Sequence, residues 1–227
     1  MKLIKKEEVA NGTFAFLFER PSRFEFIPGQ FIEVALEEGS PSDPFRSFSI
    51  ASAPCEEHLM IATRIRDSAF KQALSSLAPG TEVQIDGPYG RFGLRGDASC
   101  HVLISGGIGV TPFRSIVIQA ADERTRGNIV LFHANRDVGG APFHEEMTDL
   151  GGRGFGFQFV PAMTRPSEGW LGETGYVDAA MLARYADLSS AMYYISGPQA
   201  MVESTRDMLL KVPVASDRIV TEAFEGY

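Results

Sequence analysis

Cysteine is scarce here: the 227 residues include two, Cys55 and Cys100, far apart and outside any CxxC spacing. That excludes a disulfide framework and makes a reducing cytoplasm the expected compartment. A cysteine-ligated iron–sulfur cluster takes four thiolates, which these residues do not supply. Histidine is also sparse. His58, His101, His133 and His144 show no HExxH or comparable metal spacing, so each reads as a surface or satisfied polar side chain and no metal site is expected. No apolar run approaches the length of a membrane span. The lysines of MKLIKKEEVANGT are followed by no long apolar stretch, so no secretory leader is expected. A basic excess is missing too: 21 Lys and Arg face 29 Asp and Glu, a net charge of −8, which sets nucleic acid aside as the main partner. What remains, 44% apolar and 22% charged, is an ordinary globular composition, long enough for one large domain or two small ones.

Two rhythms divide the chain. The first part reads as short strands between turns: 3–10, 13–20, 30–36, 46–52, 58–66 and 81–88, with one helix over 68–77. Many short strands with Gly/Pro punctuation predict an antiparallel sandwich or barrel. IPGQF (27–31) carries Pro28 then Gly29, the order of a type II turn. From residue 101 strands alternate with helical periods: strands at 101–106, 128–135, 155–163, 191–197 and 218–224, helices at 111–125, 142–150, 177–186 and 198–210. That alternation predicts a parallel sheet with helices on both faces. The seam falls in GLRGDASC (93–100), giving domains at 1–97 and 98–227.

The first parallel strand runs straight into GGIGVTP (106–112). Glycine after a strand lets the backbone turn sharply and approach a ligand with no Cβ in the way. Thr111 reads as an N-cap and Pro112 as the first helical residue, which aims free N–H groups and a partial positive charge at the loop. Such an end takes an anion, most naturally a pyrophosphate, though a plain tight turn has the same pattern. GxG is present at Gly107 and Gly109, but Pro112 stands where the dinucleotide fingerprint has its third glycine. The second strand ends in Arg136-Asp137, where an adenosine ribose would lie. Arg136 fits a 2′-phosphate and Asp137 a 2′-hydroxyl, which leaves NADH and NADPH both open, as it does a simple exposed salt bridge.

RSFSIAS (46–52) is unusual for a strand. Alternation puts Arg46, Phe48 and Ile50 on one side and Ser47, Ser49 and Ala51 on the other. A cation beside a ring, where a barrel would place Val and Leu, points to a ligand anionic at one end and flat at the other.

Taken together, PGQF (28–31), RSFSIAS, GPYG (87–90), GGIGVTP, SGPQAM (196–201) and the ending EAFEGY (222–227) resemble the ferredoxin–NADP⁺ reductase superfamily, in its order and across nearly the whole chain. The resemblance implies an N-terminal antiparallel β-barrel that binds flavin and a C-terminal α/β parallel-sheet domain that binds NAD(P)H. It implies that Arg46 holds the flavin phosphates, that Phe48 lies against the isoalloxazine and that Ser49 hydrogen-bonds near its N5. Ser47, Thr63, Arg64 and Lys71 are the further flavin contacts it implies; Gly107, Gly109, Thr111, Pro112, Arg136, Gly197 and Pro198 are those for the nucleotide. Ser49, Ser196 and Glu222 are the implied catalytic groups, and Phe224 the aromatic beside the flavin, with Tyr227 undecided. The residue chemistry agrees: an arginine fork matches phosphate oxygens, and a hydroxyl both donates and accepts. Because alternation separates Phe48 from Ser49, the strand must bend or end there for both to reach one ring.

Two departures stand out. The family's Gly-x-x-Ser/Thr at the start of the barrel-domain helix is Ser68-Ala69-Phe70-Lys71 here, which keeps FAD as the expected cofactor and FMN as an alternative. Its Cys-Gly-Pro is Ser196-Gly197-Pro198 here, losing a polarizable sulfur. The expected reaction runs from NAD(P)H through flavin to a separate acceptor such as a ferredoxin, flavodoxin or oxygenase, with Lys71, Arg64, Arg66 and Arg91 as a basic patch for an acidic partner. The rival readings are a flavin reductase that takes free flavin as substrate and a non-catalytic electron-transfer subunit.

Overall fold

In the computed structural model residues 1–36, 45–95, 98–124 and 127–224 are described. The N-terminal half contains β1 (Leu3–Ala10), β2 (Thr13–Phe18), β3 (Phe31–Ala35), β4 (Phe45–Ser49), β5 (Leu59–Arg64), the helix α1 (Ala69–Ser76) and β6 (Gln84–Tyr89). They form two three-stranded antiparallel sheets, β1-β2-β5 and β4-β3-β6. Both sheets bury their inward residues in one core: Phe16 and Phe18 from β2, Ile32 and Val34 from β3, Leu59 and Ile61 from β5, with Phe70 and Leu74 of α1 added to it. The expected type II turn is present. The carbonyl of Ile27 accepts from the N–H of Gln30 at 3.3 Å, and Gly29 has φ +89°. A Cβ there would lie 1.8 Å from the Phe92 carbonyl oxygen, so position 29 admits glycine alone.

β5 is the strand that breaks the inward–outward rule. LMIAT is buried at every residue, because Leu59 and Ile61 face the N-terminal core while Met60 and Ala62 face the other half. Ala15, Ala51 and Phe92 join Met60 and Ala62 against Phe113, Ile116 and Val117. The two halves therefore share an apolar core across their seam, where burying one large side chain contributes about 1.5–3 kcal/mol.

The C-terminal half contains β7 (Cys100–Gly106), α2 (Thr111–Asp122), β8 (Asn128–Asn135), α3 (His144–Gly151), β9 (Phe157–Met163), β10 (Glu173–Thr174), α4 (Ala179–Ala183), β11 (Met192–Pro198), α5 (Gln199–Leu209) and β12 (Ile219–Phe224). Their order, β10-β9-β8-β7-β11-β12, is parallel throughout. Helices cover both faces, as the alternating apolar runs predict: Leu103 packs with α2 and α3, and its neighbours Val102 and Ile104 with α4 and α5. Order reverses between β7 and β11, and ligands of such sheets bind beyond the carboxyl ends at that reversal. The sequence-based bounds differ mainly at ends. The helix expected over 111–125 stops at Asp122, that over 177–186 forms only at Ala179–Ala183, and the two-residue β10 was not foreseen. The seam expected in 93–100, with its boundary after residue 97, includes positions 96 and 97, which lie outside the described residues, as does Tyr227. Among the described residues no helix is long and apolar enough to cross a membrane.

Candidate functional site

Where β4 ends, a cleft of about 660 Å³ opens between the halves. Arg46, Ser47, Phe48 and Ser49 of β4 line it with Thr63 and Arg64 of β5, Arg66, and Lys71 of α1. Thr111 and Phe224 close it from the other half. Nine of the residues expected at the site thus share one volume. Among the described residues that line it, four carry cationic side chains, Arg46, Arg64, Arg66 and Lys71, and none a carboxylate. Arg46 donates from Nη1 to the Phe45 carbonyl at 2.7 Å and holds its guanidinium 5.8 Å from the centre of the Phe70 ring. Burial, and then the charge of Arg66, lower the pKa of Lys71. An anion in the cleft would relieve both penalties.

The strand does end at Ser49, which is how adjacent residues of opposite facing both reach the cleft. Phe48 stacks on Phe70 with ring centres 6.0 Å apart, so part of its ring belongs to the N-terminal core and part to the cleft wall. α1 is capped by Ser68, whose Oγ accepts from the Lys71 N–H at 3.5 Å, so the Ser68-Ala69-Phe70-Lys71 stretch is an N-capped helix start with its lysine on the cleft.

At the end of β7 the chain forms a short 3₁₀ turn, Gly107–Val110, that leads directly into α2. This corrects the role read for Thr111. Val110 holds the cap position without a side-chain bond, and the Thr111 hydroxyl donates to the Ile108 carbonyl at 3.0 Å, because the 3₁₀ turn has already supplied the first turn of the helix. Pro112 is buried in that first turn. Gly109 is required by contact: a Cβ on it would lie 2.3 Å from the Ser196 carbonyl oxygen and 2.6 Å from Gly197 Cα. The loops ending β7 and β11 therefore meet backbone to backbone at the reversal of strand order. Gly107, with φ +53°, has open space on its Cβ side.

His133, read as a surface or satisfied polar residue, is satisfied at one ring nitrogen. It is fully buried at the end of β8, and its Nε2 lies 3.0 Å from the Gly107 carbonyl. A carbonyl only accepts, so Nε2 carries the proton; desolvation keeps the ring neutral, its pKa lowered to about 4. The ring thus holds the glycine turn from beneath, with Nδ1 unpartnered among the described residues. His144, also read as a satisfied or surface residue, likewise keeps a buried Nδ1 without a partner. Position alone signalled His133: it falls where the second parallel strand reaches the carboxyl edge of the sheet.

Ser49 Oγ donates to Glu222 Oε2 at 3.4 Å across the seam. Burial, opposed by that hydrogen bond, raises the Glu222 pKa to about 7. In the register of β11 and β12, Glu222 stands opposite Ser196, and Pro198 opposite Phe224. The Ser196 hydroxyl is fully buried and has no hydrogen-bond partner among the described residues, so a donor or acceptor from a ligand would complete it. Ser49, Glu222 and Ser196, the three expected catalytic groups, form one row from the cleft to the end of β11. Arg136 lies apart from them, exposed beyond β8. Its carbonyl accepts from the Arg165 N–H at 2.7 Å, which brings a second arginine to the same edge. Asp137 spends its carboxylate on the Gly140 N–H at 2.9 Å.

Residues 1–93 match the sequence model of the oxidoreductase FAD-binding domain, and 103–207 that of the oxidoreductase NAD-binding domain. The chain thus joins an oxidoreductase FAD-binding domain to an oxidoreductase NAD-binding domain, the pairing that the ferredoxin reductase resemblance implied. The NAD(P)H-flavin reductase of Aliivibrio fischeri is 29% identical over 210 residues, covering 88% of this chain and 87% of that protein. The glycine betaine monooxygenase reductase subunit of Pseudomonas aeruginosa is 28% identical over 220 residues, 93% of this chain and 60% of its own length. The chain likewise spans 59% of the phenol hydroxylase P5 protein of Acinetobacter pittii, at 29% identity over 216 residues. It thus spans about three-fifths of these oxygenase-associated relatives. In fold it is similar to the ferredoxin NADP⁺ reductase of Neisseria gonorrhoeae, with TM-score 0.84 and 23% identity over 98% of this chain and 96% of that one. The chain is an NAD(P)H-dependent flavin oxidoreductase with an antiparallel FAD-binding half and a parallel NAD-binding half. Its own geometry fits both cofactors: a cleft lined by four cationic side chains for one, and a glycine turn with a buried hydroxyl, unpartnered among the described residues, beside it for the other.

Proposed function

We propose that this chain oxidises NAD(P)H and delivers the electrons to a separate protein acceptor, a ferredoxin, flavodoxin or oxygenase component. FAD is the resident cofactor; when bound, it supplies the exchange between a two-electron donor and a one-electron acceptor. The chain supplies binding, orientation and a proton path. Arg46, Arg64 and Lys71 hold phosphate oxygens, with Ser47 and Thr63 as polar contacts beside them. Phe48 shields one side of the flavin. The Gly107–Gly109 turn receives the nucleotide pyrophosphate through its backbone N–H groups, with Thr111 and Pro112 opening α2 beside it. Gly197 and Pro198 carry the β11 end past it, and the Ser196 hydroxyl bonds the nicotinamide. Phe224 stands on the cleft as the ring that the nicotinamide displaces. Ser49 Oγ and Glu222 share a proton: near pH 7 the carboxyl changes charge, and the hydroxyl turns to donate or accept accordingly. Exposed Arg136, with Arg165 beside it and Asp137 occupied by its own turn, favours a 2′-phosphate and hence NADPH.

The observation that carries this reading is the Ser49–Glu222 bond, since it joins the end of the cleft strand to the strand next to Ser196. The deciding experiment is a visible spectrum of the purified protein, identification of the released chromophore by mass, and anaerobic mixing with NADPH and then NADH. Stoichiometric FAD that bleaches faster with NADPH is the expected result. A second reading, reduction of free flavin as substrate, is favoured by the length match to the Aliivibrio fischeri reductase. It would show as a colourless protein that oxidises NAD(P)H once flavin is added. A colourless protein inert with both would overturn the two readings together.

A further inference from the structure

Arg114 is the charged side chain that the site does not absorb. It sits on α2, three residues beyond Thr111, and only 4% of it is exposed. Its guanidinium is held on every edge. Nε and Nη2 donate to the Glu146 carboxylate at 2.7 and 2.6 Å, Nη1 and Nη2 to Glu56 at 2.9 and 3.0 Å, and Nη1 also to the Ala51 carbonyl at 2.8 Å. The Phe143 ring covers it, 5.2 Å from the guanidinium carbon. Burial disfavours the charge, but hydrogen bonds to the two carboxylates outweigh it and the pKa is raised.

The two carboxylates come from different halves. Glu146 lies on α3, in the half that contains Arg114. Glu56 lies between β4 and β5, in the FAD-binding half. Glu56 is itself fixed: its Oε2 accepts from the Ala53 N–H at 2.7 Å, and its carbonyl accepts from Arg20 at 3.0 Å. Two further bonds cross the seam beside it. Ser115 Oγ donates to the Ser52 carbonyl at 2.6 Å, and the Cys55 N–H donates to Gln119 Oε1 at 3.0 Å. The segment 51–56 is thus strapped along one side of α2. Two residues upstream of Ala51 is Ser49, on the cleft wall; the upstream end of α2 is Thr111, also on the cleft wall. One short path therefore connects the flavin-side strand end to the nucleotide turn, and Arg114 is its centre.

We propose that Arg114 is a positioning residue for flavin reduction, and that its bond to Glu56 sets the end of β4 against the glycine turn. The proposal rests on the function assigned above. Without Glu146, Arg114 still spans the seam to the Glu56 carboxylate; without Glu56, it keeps the Glu146 carboxylate inside its own half and reaches across only to the Ala51 carbonyl. A bond that merely stabilises the fold has no such asymmetry. Misplacing reacting groups by about 1 Å costs on the order of a hundredfold in rate.

The test compares Glu56→Ala, Glu146→Ala and Arg114→Met with the wild type, each reconstituted with FAD. Three quantities are read: single-turnover flavin reduction at saturating NADPH, the dissociation constant for NADP⁺, and amide hydrogen exchange over residues 46–56 and 107–119. Glu56→Ala is expected to slow reduction about ten- to hundredfold, to leave flavin content and nucleotide affinity within about threefold, and to speed exchange over 46–56. Glu146→Ala is expected to lose comparable thermal stability yet keep the reduction rate within about threefold and the 46–56 exchange unchanged. Arg114→Met should match Glu56→Ala in rate; if it fails to fold, the two glutamate variants still decide. Equal slowing by both glutamate variants, or by neither, overturns the proposal alone. A wild-type holoprotein that NADPH and NADH fail to reduce overturns the assigned function and the proposal with it.

Discussion

On the flavin side of the cleft, four cationic side chains gather around one volume, Arg46, Arg64, Arg66 and Lys71. At the turn 106–112 no side chain is charged at all. There the sequence relies on a 3₁₀ turn, a helix start and a contact so close that only hydrogen fits at Gly109. Both places face a ligand phosphate in the proposed reaction, yet one attracts it with charge on flexible stems and the other with fixed backbone. The first arrangement is graded, since each cation adds its part and salt screens it. The second is closer to all-or-none, since backbone cannot yield by rotating a side chain.

The sharpest way to break that contrast is Gly109→Ala. The added methyl would lie 2.3 Å from the Ser196 carbonyl oxygen, so the β7 and β11 ends must separate. Reduction by nucleotide is expected to fall by about a hundredfold or more while flavin content holds; rapid-mixing absorbance reads the first and the spectrum the second. Near-normal rates would mean that the turn adjusts as freely as a side chain.

Arg46→Ala should be milder, and opposite in what it spares. A charge-assisted bond contributes about 1.5–3 kcal/mol, so flavin affinity is expected to drop roughly tenfold to a hundredfold. Equilibrium titration at two salt concentrations should show a weaker salt dependence than in the wild type.

Glu222→Gln tests the row where the two sides join. The folded-state pKa of about 7 exceeds the ordinary 4.5, so the folded protein holds an extra proton between those values. The stability this contributes is complete below pH 4.5, declines as pH rises and is gone above about 7. Glutamine should remove that slope from the melting temperature and remove a titration near pH 7 from the rate of flavin reduction. A profile with the same inflection in the variant would assign it to another group.

The smallest effect is expected at His133. His133→Asn keeps a donor but shortens its reach to the Gly107 carbonyl, and a weakened neutral bond costs about 0.5–1.5 kcal/mol. The nucleotide KM should rise several-fold with kcat at saturation nearly unchanged. The sign for stability is the reverse of Glu222. With its pKa lowered from 6.5 to about 4, the ring contributes fully above pH 6.5, and that contribution is lost as pH falls toward 4. Melts across that window should flatten in the variant.

The contrast also explains what the sequence disclosed. Side-chain features were legible: the cation and ring of RSFSIAS, the strand–helix alternation, and the end of β4 at Ser49, which follows from period-two geometry once Phe48 and Ser49 must share a cleft. Backbone features were legible only as glycines. That Thr111 would donate rather than cap depends on the 3₁₀ turn before it, which no local residue type announces. His133 looked like any polar residue at a strand end, because burial is set by the helices that pack over it. The Arg114–Glu56 pair is separated by 58 residues and joins two halves, so no local pattern could link them.

β5 has a consequence for exchange between proteins. Met60 and Ala62 belong to the core of the second half as much as Leu59 and Ile61 belong to the first. A chimera that joined this flavin half to a foreign nucleotide half would bring along a strand with one face fitted to helix α2. Such a graft would succeed only if the new neighbour supplied the counterparts of Phe113, Ile116 and Val117. The unit that can be inherited or swapped intact is therefore the pair of halves, with the boundary in composition lying elsewhere than the boundary in packing.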